Sequence, residues 1–215
     1  MDRRKFCLSS VAAAISGAAA GQTALLARAA SAPAESLPPV TAPAVPLDRF
    51  LYDRRFPAAR AFGAAAERIR STDGTFAIEG DVTQLWSRDL RLRWSTGGGR
   101  GGGGGAIAGM TTARTLFCLE ELAKDHWMRV VFRADHAMTG AHEIAHRLTG
   151  PQSMMARITP LLSAGDWPMK IPAVLASCSI SQGADRMGTV KCVLGLPYGR
   201  RGGAAAENLV SFVIA

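Results

Sequence analysis

The feature that most restricts the fold is a plan that occurs twice. A short apolar run leads into an amphipathic stretch of helical period, which leads into a second apolar run. In the first copy "RFLYD" (49–53) precedes "PAARAFGAAAERIR" (57–70) and "TFAIEGDV" (75–82). Pro57 sits where a first-turn proline is tolerated, and Asp73 and Gly74 supply a turn at the helix end. In the second copy "AIAGM" (106–110) precedes a helix starting near Thr112 and then "MRVVFRAD" (128–135). Leu116, Leu119, Leu122 and Ala123 fall at spacings of three and four, which gives this helix an apolar face. Strand, helix, strand, twice over, is the plan of an α/β layer with parallel neighbours.

Between the copies lies "STGGGRGGGGG" (95–105). A phosphate loop would end in Gly-Lys-Ser/Thr, and a dinucleotide loop would open a helix after a strand. This tract leads instead into the apolar run at 106, and it reads as an expanded flexible loop. Towards the C-terminus, 151–165 suggests a helix interrupted at Pro160 and 166–172 is irregular. Residues 172–180, 188–196 and 208–215 are apolar and β-branched enough for strands, the last docking at a sheet edge. The expected class is α/β: a single domain at 47–215, two strand-helix-strand units on a mixed sheet of about five to seven strands, and a β-hairpin at about 128–149.

The N-terminus has a different character. Arg3, Arg4, Lys5 and Phe6 precede a weakly apolar, alanine-rich run from Cys7 to about Ala20, and Ala27-Arg28-Ala29 offers small residues for cleavage before Ala30. The apolar run is well short of the roughly 20 residues a membrane span needs. R-R-K-F resembles the core of a twin-arginine (Tat) signal peptide, which implies export of residues 30–215 to the periplasm by the Tat translocon. No stable membrane insertion is expected after cleavage. Residues 30–46 are rich in Ala, Pro and Ser and read as a linker. Loss of residues 1–29 removes four cations (Arg3, Arg4, Lys5, Arg28) and one anion (Asp2), taking the formal net charge from +8 to +5. The remaining cations are dispersed without interleaved aromatics, which argues against nucleic acid as a partner. Cys118, Cys178 and Cys192 remain, an odd number, so at least one thiol is free or pairs between chains. The segments "LDRFLYDRRFPAARAFG", "GDVTQLW" and "TLFCLEELAKDHWMRVVFRADH" together resemble a group of Tat-exported proteobacterial proteins. That resemblance implies export and a single domain, and brings no chemistry with it.

Two sets of residues carry candidate chemistry. His142-Glu143-Ile144-Ala145-His146 spells H-E-x-x-H. On a helix both imidazoles would reach one Zn²⁺ while Glu143 polarised the bound water, a zinc-dependent hydrolase (peptidase) with His142 and His146 as ligands. The helix would be short, because Gly140 precedes it and Gly150-Pro151 ends it. As a strand, His142, Ile144, His146 and Leu148 share one face and Glu143 takes the other. A turn through 137–141 would then pair His136 with His142, Ala134 with Ile144, Phe132 with His146 and Val130 with Leu148, so the hairpin explains the stretch more economically. The second set is Arg54 and Arg55 after the first strand and Thr111 and Thr112 after the third. Strand C-termini are where open α/β sheets bind ligands, and these residues would serve a small anion. Capping by Thr112 and salt bridging by Asp53 are the structural explanation of the same residues. Cys118, between Leu116 and Leu119, reads as a buried thiol. The leading expectation is an exported periplasmic protein with an accessory or small-anion-binding role; zinc enters only under the hydrolase alternative.

Overall fold

The structure is a computed structural model that describes residues 46–70, 74–96, 105–140, 143–177, 186–195 and 208–215. The signal and nearly all of the linker, the glycine tract from 97 to 104, His142 and Cys178 lie outside the described residues. The described chain is an α/β fold on one mixed seven-stranded sheet of order β2-β1-β3-β7-β4-β5-β6. Its strands are β1 (Leu47–Asp53), β2 (Thr75–Ile78), β3 (Ala106–Thr112), β4 (Val130–Gly140), β5 (Glu143–Pro151), β6 (Met187–Gly195) and β7 (Leu209–Ile214).

The first expected unit is present as β1, helix α1 (Pro57–Arg70) and β2, with β1 parallel to both β2 and β3. Helix α1 buries Ala59, Phe62, Gly63 and Ala66, spaced as one stripe. Gly63 is needed there, since a Cβ would lie 2.5 Å from the Tyr52 ring. From Thr83 the segment after β2 is helical: α2 (Thr83–Leu85), a π-turn (Trp86–Leu90) and α3 (Arg91–Thr96). It therefore takes in Ser95 and Thr96, two residues expected in the glycine loop. The second unit is β3, α4 (Ala113–Lys124) and β4, but its strands are not neighbours. Strand β7 lies between them, antiparallel to both.

That placement corrects the expectation of an edge position for the C-terminal strand. All six residues of β7 are buried, as are the first six of β3. A strand apolar on both faces has to be covered on both faces, which only the middle of a sheet provides. The segment at 172–177, expected as a strand, belongs instead to α6 (Trp167–Ser177), which carries Pro172 inside it. The interruption expected at Pro160 is observed: α5 (Gln152–Ile158) passes into a 3₁₀ turn (Thr159–Ser163).

Two cores result. On one face α1, α5 and α6 cover Phe50, Met110, Phe132, Leu148 and Val213. On the other, α2, α3 and α4 cover Leu51, Ile107, Val210 and Phe212. Beyond β7 no helix among the described residues covers this second face, and Arg147, Thr149, Lys191 and Val193 are exposed on β5 and β6. No helix among the described residues is long and apolar enough to cross a membrane.

Candidate functional site

The hairpin of β4 and β5 is formed, in a register different from the one expected. His136 lies opposite His146 and Ala134 opposite Leu148. Strand β4 runs on to Gly140 and β5 starts at Glu143, so only residues 141 and 142 connect them. The shorter connection slides the pairing by four residues, and because four is even the same faces stay together. Glu143 is exposed and shares its face with Arg147 and Thr149, opposite His146 and Leu148, which are buried. The helical spacing that the zinc reading requires is therefore not formed at Glu143 and His146.

The register change brings together residues that the sequence kept apart. His136 and His146 are both buried, with their Nδ1 atoms 2.6 Å apart. Such a contact needs one proton between the two nitrogens. His136 Nε2 is 2.8 Å from Ser211 Oγ, which β7 presents on the same face. Trp167, at the start of α6, covers the pair with ring centroids 4.3 Å from His136 and 5.2 Å from His146. Burial pushes His146 down to about 4. Burial and the nearness of His146 hold His136 well below the usual imidazole value. Both rings are neutral at pH 7. Ser211 was not singled out in the sequence; the only signal was its polar side chain within the apolar run "LVSFVI".

At the other candidate position, β1 is followed by α1 on one face and β3 by α4 on the other. The adjacent C-termini of β1 and β3 thus flank the crevice where α/β sheets characteristically take ligands. Asp53, fully buried, accepts from Arg55 Nε at 2.9 Å, Arg55 Nη2 at 2.7 Å and the Arg55 backbone N at 3.2 Å. Thr111 Oγ1 adds a donor at 3.4 Å. Thr112 caps α4, accepting from the Thr115 backbone N at 3.3 Å, and Thr115 Oγ1 donates to the Gly80 carbonyl at 3.2 Å. Gly80 has φ +84°, and a Cβ there would collide with the Arg55 guanidinium. Arg55, Thr111 and Thr112 thus all have partners within the protein, Arg55 being exposed over the fully buried Asp53.

Arg54 points elsewhere. It pairs with Glu79 at 2.7 Å, both side chains being more than half exposed. It also lines a cavity of about 400 Å³ beside edge strand β2. Phe76 and Leu85 are apolar walls, and Arg88, Glu79, Asp81 and Gln84 supply polar groups. Hydrogen bonds from Thr83 hold the Asp81 carboxyl below the usual range. Arg88 and Gln84 come from the segment between β2 and β3. Val82, Leu85, Leu90 and Trp94, all buried, are the signal that could have marked that segment as helical. Cys118, expected to be buried, is exposed on α4: the apolar stripe runs through Thr115, Leu116, Leu119 and Ala123, and residue 118 falls outside it.

No protein-family model matches the chain, and no curated protein and no solved structure matches it.

Proposed function

We propose that this is an exported accessory protein that binds a small anionic ligand in the cavity beside β2. The observation that carries the reading is the pair of guanidinium groups, Arg54 and Arg88, on a 400 Å³ cavity with apolar walls at Phe76 and Leu85. That volume lies within the range of roughly 300–1,000 Å³ usual for small-molecule sites. The ion pair of Arg54 with Glu79 is solvent-exposed and worth about 0–1 kcal/mol, so a ligand anion displaces Glu79 at little cost. The carboxylates of Glu79 and Asp81 favour a ligand that carries a donor or a cationic group beside its anion. Against the hydrolase alternative stands the separation of Glu143 from His146 by the plane of the sheet. Export rests on the N-terminal pattern and is tested by whether Arg3→Lys/Arg4→Lys abolishes periplasmic recovery. Binding is tested by thermal shift against inorganic phosphate, dicarboxylates and amino acids, with Arg54→Ala and Arg88→Ala. A hit lost in both variants supports the reading. A panel with no hits, or a hit that both variants keep, overturns it.

A further inference from the structure

Resting on the anion-binding reading of the cavity beside β2, we propose that its ligand is the C-terminal end of a peptide, which adds to β2 as a further strand and places its terminal carboxylate between Arg54 and Arg88. Strand β2 is the outermost strand of its side of the sheet, and among the described residues it pairs with β1 alone. Phe76, Ala77, Ile78 and Glu79, four residues in succession, all border the cavity. Side chains alternate from face to face along a strand, so consecutive residues reach one cavity where it meets the edge of the backbone.

The pairing with β1 tells which backbone groups lie on that edge. The Ile78 carbonyl accepts from the Arg54 backbone N at 2.9 Å, so it points towards β1. In a parallel pair the N–H and C=O of one residue point to the same side, and those of the next residue to the other. Ala77, one residue before Ile78, therefore turns both its N–H and its C=O outward. An added strand pairs through such groups, and they supply affinity without regard to side chains.

The opposite wall is helical. Gln84 and Leu85 of α2 and Arg88 of the π-turn all line the cavity. At spacings of three and four they fall on one side of the helical segment. An extended chain laid between this wall and the edge of β2 turns alternate side chains into the groove, where Phe76 and Leu85 offer apolar surface. The four residues of β2 span about 13 Å, enough for three or four ligand residues.

Charge fixes the end and the direction of the ligand. Arg54 pairs with Glu79 immediately beyond the C-terminal end of β2. Arg88 is exposed, with no ion pair among the described residues. A carboxylate held at that end makes the peptide run parallel to β2, as β1 does. Glu79 and Asp81 stand beside the two guanidiniums, so a bare anion meets two negative charges as well as two positive ones. A peptide adds main-chain hydrogen bonds to its charge contact, which a bare anion lacks.

The probes are acetylated tetrapeptides of three alanines ending in valine, leucine or phenylalanine, titrated calorimetrically beside the N-acetyl amino acids with the same last residue. The best tetrapeptide should bind about tenfold or more tighter than its single-residue counterpart, the return from two main-chain hydrogen bonds. Converting its carboxylate to an amide should weaken it by more than about tenfold. Methylating its amide nitrogens one at a time should cost about fivefold at alternate positions only, because alternate residues face β2. Ala77→Pro removes the outward N–H and is tolerated on an edge strand. It should weaken the tetrapeptide and spare the N-acetyl amino acid, with circular dichroism confirming the fold. Equal affinity for the two probes, or methylation without alternation, would overturn the peptide proposal; losses in Arg54→Ala and Arg88→Ala would then leave the anion site standing. Tetrapeptide binding that survives amidation and both arginine variants would overturn the anion reading and the proposal together. Binding by none of these probes overturns the proposal, and the small-anion panel decides the anion site separately.

Discussion

Lowering the pH should destabilise the protein through its histidine pair before its carboxylates titrate. In the unfolded chain an imidazole gains its proton near 6.5; in the fold, burial delays this for His146 to about 4. Between those values the unfolded state holds more protons, so stability falls as the pH drops through that window and is fully present above it. The difference is worth about 3 kcal/mol for His146 in full, and about 2 kcal/mol after allowance for solvent screening of the new charge. His136 acts in the same direction, since burial holds it lower still. The charge would appear beneath Trp167, between the other imidazole, Ser211 and Cys192, none of which carries a negative charge near neutral pH. Asp81 and Asp166, whose carboxyls are held below their usual 3.8 by hydrogen bonds from Thr83 and Lys170, lose their contribution only at lower pH. Urea unfolding followed by tryptophan fluorescence, from pH 7.5 to 4.5, measures the loss. His146→Gln, which cannot take a proton, should remove about half of the slope, His136 supplying the rest. An unfolding midpoint that does not move across that interval would refute the buried neutral pair.

Further expectations concern the crevice and the sheet. Arg55→Ala should destabilise by about 3 kcal/mol and Asp53→Asn by only about 1 kcal/mol, because the buried partner is the carboxylate and losing its cation leaves a charge unpaired; calorimetric melting gives the order. Gly80→Ala should cost at least about 1 kcal/mol, from its positive φ and the crowding of Arg55, in the same assay. Phe212→Ala should cost about 3–5 kcal/mol, since β7 is packed from both faces, and urea titration checks it. Maleimide should label Cys118 quickly and Cys192 slowly, because burial pushes the Cys192 thiol up.

Local periodicity made much of this architecture legible. The stripe of α1, the apolar runs of β1, β2 and β3 and the alternation along β4 and β5 all mark elements that the fold contains. Long-range order was not legible in the same way. A run such as "LVSFVIA" states that a strand needs cover on two faces, but which strands flank it depends on pairings distant in sequence. The hairpin shows the limit clearly: alternation fixed which side His136 and His146 face, while the opposing partner depended on the turn, and apolar residues matched in either register. The α6 segment misled because Val174 and Leu175 suit a strand as well as a buried helix, and its helical cover comes from contacts with α1. Of the crevice residues, position at the strand ends was readable. That Asp53 would bind Arg55 and Thr111, leaving Arg54 to the cavity, required side-chain directions that spacing does not encode.

Calorimetric titration of the best anion from the ligand panel into the wild type, Arg54→Ala and Arg88→Ala tests the central claim most directly. The two-guanidinium cavity predicts one ligand per chain and a loss of more than about tenfold in each variant, as expected for losing a charge-assisted contact of roughly 1.5–3 kcal/mol. Equal affinity in all three proteins would contradict it.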